Sequence, residues 1–245
     1  MLAANKSNLA LLIDGDNVSS KIIDDLMAEI ANYGTASVKR IYGDWTSPHL
    51  KGWKECLLSH SITPMQQFAY TTGKNATDGA MIIDAMDLLY TGRFSSFCIV
   101  SSDSDFTRLA ARIREQGVNV YGFGSRLTNK AFVAACDKFM YYDAMNPEPE
   151  KSSAPSPHRP LDRAAIEGLA RAVNGSPCDN ENWVNLADVG DYLSKISPDL
   201  NHRNYGYQRL RAFVEASKIV DVKIKTIGDK APITLVRLKG YNLSA

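Results

Sequence analysis

The sequence predicts an α/β fold with a mainly parallel sheet, followed by a small winged helix-turn-helix module. Three observations carry this. Apolar strand-like runs alternate with helical patterns from Leu9 to Ala135, as βα units do. The segment Pro147 to Pro160 holds five prolines and almost nothing apolar, so it reads as a semi-extended linker. Beyond it the pattern changes to three short helices and two closing extended runs.

Leu9 to Asp14 reads as a strand, Ser20 to Tyr33 as a helix capped by Ser19 or Ser20, and Ser37 to Tyr42 as a strand after the stop at Gly34. Helix is expected over His49 to Ser59, extended chain over Ile62 to Phe68, helix over Thr77 to Tyr90 and strand over Ser96 to Ser101. Phe106 to Gln116 is a helix closed by Gly117, before a strand over Val118 to Gly122 and a helix near Asn129 to Ala135. After the linker, helices are expected over Leu161 to Val173, Leu186 to Ile196 and Tyr207 to Ser217. The runs Ile219 to Lys225 and Ile233 to Leu238, separated by Gly228-Asp229-Lys230, form the hairpin. The expected division is residues 1–146, linker 147–160 and module 161–241.

The chain has 245 residues and a net charge of +1. It lacks an apolar run long enough to span a bilayer and a signal-peptide h-region at its start, so a cytoplasmic location without membrane association is expected. Cys56, Cys98, Cys136 and Cys178 stand far apart and read as reduced thiols rather than zinc ligands or a disulfide framework. Charge is local: from Arg203 to Lys239 there are nine basic and three acidic residues. Such a patch suits a nucleic acid, with Arg203, Arg209, Arg211, Lys223 and Lys225 as candidate RNA contacts, although a solvated face without a partner is the plainer alternative. Tyr205, Tyr207 and Phe213 invite a base-stacking reading, with core packing the stronger one for Phe213.

Chemistry concentrates after two strands. Leu9 to Ile13 ends in Asp14-Gly15-Asp16-Asn17, and Phe97 to Val100 ends in Ser101-Ser102-Asp103-Ser104-Asp105-Phe106. Open α/β sheets bind ligands at strand carboxyl ends. If the two strands are parallel neighbours, Asp14, Asp103 and Asp105 converge, and carboxylates so crowded must be protonated or neutralised by a cation. Asp78 opens a helix and is a fourth candidate ligand, with helix-dipole capping an equal alternative. Asp84 lies about 240° around that helix from Asp78, so it is expected to pair with an arginine or stand outside the ligand set. Asn17, Lys74, Ser101 and Ser102 are candidates for positioning phosphate or water, Asn17 having an Asx turn or cap as its structural alternative.

Ile13-Asp14-Gly15-Asp16-Asn17, Lys74 with Asp78, Ser101 to Phe106 and the closing Asp137-Lys138-Phe139 together resemble NYN domains, LabA-like members of the PIN-like nuclease superfamily, over about residues 7 to 145. The resemblance implies a PIN-like three-layer α/β/α sandwich and Mg²⁺- or Mn²⁺-dependent RNA cleavage. Trp183 to Leu186, Asn204 to Tyr207 and the closing hairpin resemble a LOTUS (OST-HTH) domain, which implies association with RNA or RNA-processing partners. The expectation is a metal-dependent ribonuclease in which Asp14, Asp78, Asp103 and Asp105 hold the metal and single-stranded RNA is the substrate. A protein partner through the module and a homodimer using an exposed Trp45 or Trp53 are further expectations. The alternatives are an inert RNA-binding or adaptor protein that keeps a metal site, and a phosphatase-like or nucleotide-binding α/β protein. The latter is disfavoured because no glycine-rich phosphate loop follows the first strand.

Overall fold

The computed structural model describes residues 7–68, 76–144, 158–226 and 231–240. The chain divides into two compact units, residues 1–147 and 148–245.

In the first unit, strands β1 (Asn8–Asp14), β2 (Thr35–Gly43), β3 (Thr63–Gln66), β4 (Ser96–Val100), β5 (Asn119–Gly124) and β6 (Lys138–Tyr141) form one sheet in the order β3-β2-β1-β4-β5-β6. Every pairing is parallel. The chain builds outward from β1 in one direction and from β4 in the other, so the topological switch falls between them. That crevice is where doubly wound sheets bind ligands.

Alternation along the strands sets the layers. Leu9, Leu11 and Ile13 pack with helices α1 (Ile23–Ile30) and α2 (Lys51–His60) through Leu26, Ile30 and Trp53. Ala10 and Leu12 face the opposite core, with α3 (Ala76–Tyr90), α4 (Thr107–Glu115) and α5 (Lys130–Ala135) contributing Met81, Ala85, Ile113 and Phe132. A central strand buried on both faces must be apolar throughout, which is why β1 reads as an unbroken hydrophobic run. Cys98 and Cys136 are fully buried in these two cores. Among the described residues no helix is long and apolar enough to cross a membrane.

Local chemistry sets the element ends. The Ser19 hydroxyl caps the 3₁₀ turn Ser20–Ile22 that leads into α1, which is therefore shorter than the helix expected over Ser20 to Tyr33. A 3₁₀ turn at Pro48–Leu50, capped by Ser47, likewise precedes α2. β6 was not expected, because four residues show too little alternation to be read. Asp137 secures it: its N–H donates to the Val120 carbonyl at 2.8 Å, its carboxylate accepts from the Val120 N–H at 2.8 Å, and Arg114 pairs with it at 3.0 Å. Phe139, two residues on, is fully buried.

The expectation of an exposed Trp53 is overturned. The ring is 1% exposed and its Nε1–H donates to the Val18 carbonyl at 2.9 Å, so α2 anchors the loop that follows β1. Trp53→Phe keeps most of the bulk but orphans that carbonyl. It should cost about 1–2 kcal/mol, measurable as a lower urea midpoint with unchanged slope.

The second unit contains α6 (Arg163–Gly175), β7 (Val184–Asn185), α7 (Leu186–Ile196), α8 (Leu210–Ala216), β8 (Val220–Lys225) and β9 (Ile233–Leu238). The strands form a separate antiparallel sheet, β7-β9-β8, against the three helices. β7 is too short to carry a period and exists because β9 pairs with it. Side chains cap two of the helices, Asp162 at α6 and Asn185 at α7. Residues 147–157 of the expected linker and the turn at 228–230 lie outside the described residues.

Candidate functional site

The register places the two acidic motifs side by side. Ile13 pairs with Val100, so Asp14 and Ser101 leave adjacent parallel strands together. Asp14 is 3% exposed, and one of its carboxylate oxygens accepts from the Ser101 hydroxyl at 2.8 Å. Ser101 in turn accepts from the Asp103 N–H at 3.0 Å. Asn17 ties the same two loops, its side-chain oxygen accepting from the Ser102 N–H at 3.0 Å. Gly15 permits the turn: its N–H donates to the Tyr42 carbonyl at 2.8 Å, and a Cβ there would lie 2.9 Å from that oxygen.

Asp103 ends the extended chain after β4 and caps the 3₁₀ turn Ser104–Phe106, accepting from the Asp105 N–H at 2.9 Å. Asp78 sits in the first turn of α3. One carboxylate oxygen from each of Asp78, Asp103 and Asp105 falls within 4.8 Å of the others. Two segments distant in sequence, the first turn of α3 and the turn after β4, thus present three carboxylates to one point.

The electrostatics reflect the crowding. Burial pushes Asp14 from 3.8 up to about 7; the Ser101 hydrogen bond opposes this, while the charges of Asp78 and Asp16 reinforce it. Asp78 is also raised, first by burial and then by Asp103, Asp105 and Asp16. Burial is the larger cause of both shifts, and the smaller part that comes from neighbouring carboxylates is what a bound cation would relieve. Carboxylate oxygens are the donors that hard divalent cations prefer, so the residues present fit the metal expected from the sequence.

Asp16 was missed as a site residue. It follows the strand end by two residues, accepts from the Thr77 hydroxyl at 2.8 Å at the start of α3, and presses on both Asp14 and Asp78. Its signal lay in the Asp14-Gly15-Asp16 spacing, which strand-end reasoning passed over. Asp84 does not join the cluster. It pairs with Arg40 and accepts from the Tyr42 hydroxyl, bracing α3 against β2 on another face of the helix.

Two expected phosphate contacts need correction. Ser101 is fully buried, with its hydroxyl committed to Asp14 and the Asp103 N–H, so it holds carboxylates and does not meet solvent. The Ser102 hydroxyl donates to the Ser125 hydroxyl at 3.1 Å and accepts from the Ser125 N–H at 2.8 Å, pinning the loop after β5. Among the described residues Asn17 makes no Asx turn within its own loop and caps no helix; it is an exposed clasp between loops. Lys74 lies outside the described residues.

In the second unit the candidate RNA contacts are spread over three elements. Arg203 lies in the 3₁₀ turn His202–Tyr205, Arg209 and Arg211 at the start of α8, and Lys223 and Lys225 on β8. Arg211 pairs with Glu215 at 2.8 Å, and Lys223 lies 3.6 Å from Glu181 and 3.9 Å from the centre of the Trp183 ring. The base-stacking reading of the tyrosines is overturned: Tyr205, Tyr207 and Phe213 pack together in the core at 6%, 9% and 0% exposure.

Comparison with known proteins follows the same division. Among solved structures, the chain is similar to a protein of unknown function, VPA0982, from Vibrio parahaemolyticus, with 20% identity, a TM-score of 0.48, and coverage of 58% of this chain and 96% of that one. It is also similar to an uncharacterized protein from Nitrosomonas europaea, from gene locus NE0665, with 25% identity, a TM-score of 0.30, and coverage of 40% and 98% respectively. No curated protein matches the chain. Residues 8–143 match the NYN domain and residues 159–234 match the OST-HTH/LOTUS domain. With its acidic cluster at the switch point of a parallel sheet, the chain belongs to the NYN-domain family and carries an OST-HTH/LOTUS domain after it.

Proposed function

We propose that the protein is a divalent-metal-dependent ribonuclease hydrolysing phosphodiester bonds of single-stranded RNA, with the LOTUS domain serving to hold RNA or a protein partner. The observation that carries this reading is the meeting of Asp78, Asp103 and Asp105 within 4.8 Å beside the buried Asp14. Asp78, Asp103 and Asp105 would hold Mg²⁺ or Mn²⁺ directly, with Asp14 and Asp16 adding negative charge at its edge. When bound, such an ion polarises a phosphoryl oxygen and lowers the pKa of an attacking water.

The chain's own contribution is positional. Ser101 keeps Asp14 and the Asp103 backbone in fixed relation, and Asn17 locks the two loops against each other. The Asn17 amide has its oxygen committed to Ser102, which leaves its N–H₂ group as the donor suited to a phosphate oxygen. Attack in line with departure of the 3′-oxygen would leave a 5′-phosphate and a 3′-hydroxyl. Tethering the substrate through the second domain raises its concentration at the cluster.

The test is incubation of end-labelled single-stranded and hairpin RNAs with full-length protein in Mg²⁺, Mn²⁺ or EDTA. Cleavage of the single-stranded substrate that requires metal and yields 5′-phosphate ends is the expected result. RNA retained but uncut under every metal condition would overturn the nuclease reading and leave an adaptor.

A further inference from the structure

The first turn of α3, which carries Asp78, has little to hold it. Thr77, Asp78, Gly79 and Ala80 are all partly exposed, and among the described side chains of the helix the first that is fully buried in the core is Met81. A Cβ on Gly79 would meet no atom within 4 Å, and glycine favours a helix less than alanine because it loses more backbone freedom there. The N–H groups of a first turn also lack partners inside the helix. Against this looseness stands a single tie. Among the described residues, the Thr77 hydroxyl, which donates to Asp16 at 2.8 Å, makes the one side-chain hydrogen bond that joins this turn to another element.

Asp16 is itself well seated. It follows Gly15, whose N–H is bonded to the Tyr42 carbonyl. The carboxylate oxygen that does not meet Thr77 lies over the end of β2, where a Cβ on Gly43 would stand 3.0 Å from it. Glycine at 43 thus leaves the space that Asp16 occupies. Asp16 is near enough for its charge to act on Asp78, yet it stands outside the three carboxylates that meet within 4.8 Å. Its one contact with α3 is made through the neighbour of a ligand.

Resting on the ribonuclease reading, we propose that Asp16 is a positioning residue: through the Thr77 hydroxyl it holds the first turn of α3 against the ends of β1 and β2, and so holds the Asp78 carboxylate where Asp103 and Asp105 stand. Metal sites depend on such supports, because a carboxylate free to swing must be ordered at the expense of binding. Without the tie, Asp103 and Asp105 remain together in the turn after β4, and the third carboxylate is lost from them for part of the time.

The test is Mn²⁺ binding by isothermal titration calorimetry to the full-length protein and to variants of the pair, with urea midpoints showing that each is folded. Thr77→Val removes the hydroxyl at nearly constant volume and leaves every carboxylate in place; it should weaken Mn²⁺ binding by about tenfold or more. Thr77→Ser should bind as the wild type does. Asp16→Ala should also weaken binding, and adding Thr77→Val to it should bring little further loss, since both changes break one bond. Gly79→Ala, where there is room for a methyl group, should return part of the affinity lost in Thr77→Val by stiffening the turn. Full affinity in Thr77→Val, losses that add in the double variant, or no recovery with Gly79→Ala overturns the proposal and leaves Asp16 acting by its charge alone. If the wild-type protein binds no Mn²⁺, the metal-dependent reading fails separately, and the tie is judged by hydrogen exchange at the Ala80, Met81 and Ile82 amides, which bond back to residues 76–78 in an α-helix. Faster exchange there in Thr77→Val supports the positioning role; unchanged exchange overturns it.

Discussion

Asp103→Asn is expected to lower metal-dependent RNA cleavage by about a hundredfold or more, because charge stabilisation at a metal site is worth several kcal/mol and each ~1.4 kcal/mol is a factor of ten. The substitution is selective. Asp103 also caps the 3₁₀ turn before α4 through one side-chain oxygen, and asparagine retains an acceptor in that place. Removing the negative charge also relieves the pressure that raises Asp78. The metal-free variant should therefore unfold at a denaturant concentration no lower than wild type. Asp103→Ala removes cap and charge together and should lose about 0.5–2 kcal/mol of stability as well. Cleavage rates and urea midpoints of the three proteins separate the roles. A near-normal rate in Asp103→Asn would remove this carboxylate from the site.

The metal-free protein should lose stability as pH rises from about 4 to about 7, and Asp14→Asn should abolish much of that slope. Native Asp14 holds its proton up to about 7, whereas the unfolded chain releases it near 3.8. Between those values the native state binds more protons, so unfolding free energy falls with increasing pH and levels off above the native value. At ~1.4 kcal/mol per pKa unit the full loss is about 4 kcal/mol. Above pH 7 Asp14→Asn should thus be more stable than wild type without metal, since its side-chain oxygen can still accept from Ser101. A divalent cation that binds only the native site should restore the wild-type protein through mass action. Denaturation curves from pH 4 to 8, with EDTA or Mg²⁺, provide the check. Parallel profiles for wild type and variant would show that Asp14 is already ionised in the native state.

Much of the architecture was legible because burial imposes patterns. A strand covered on both faces must be apolar throughout, and β1 and β4 are, so their acidic ends stood out against the runs before them. Strand-end reasoning singled out Asp14, Asp103 and Asp105; the structure brings Asp103 and Asp105 together with Asp78 and leaves Asp14 outside that group, bonded to Ser101. Asp84 could be separated from Asp78 by helical geometry, and the structure pairs it with Arg40. The short strands β6 and β7 could not be read, because their existence depends on a neighbour that pairs with them and not on their own periodicity. Tyr205 and Tyr207 carried the same difficulty: an aromatic side chain has the same composition whether it stacks on a base or fills a core.

By itself the sequence determined most of the longer strands and helices, where the proline-rich break falls, and that carboxylates gather after two apolar runs, since these follow from local periodicity and residue chemistry. Only the tertiary structure decided that β1 and β4 are neighbours, that α3 brings Asp78 to Asp103 and Asp105, and that Asp16 lies near enough to act on Asp78. It also decided that Ser101 and Ser102 are bound into the scaffold. The physical reason is that local signals act over a few residues, whereas a charge's environment and a side chain's hydrogen-bond partners are set by chain segments that meet only when the sheet is assembled.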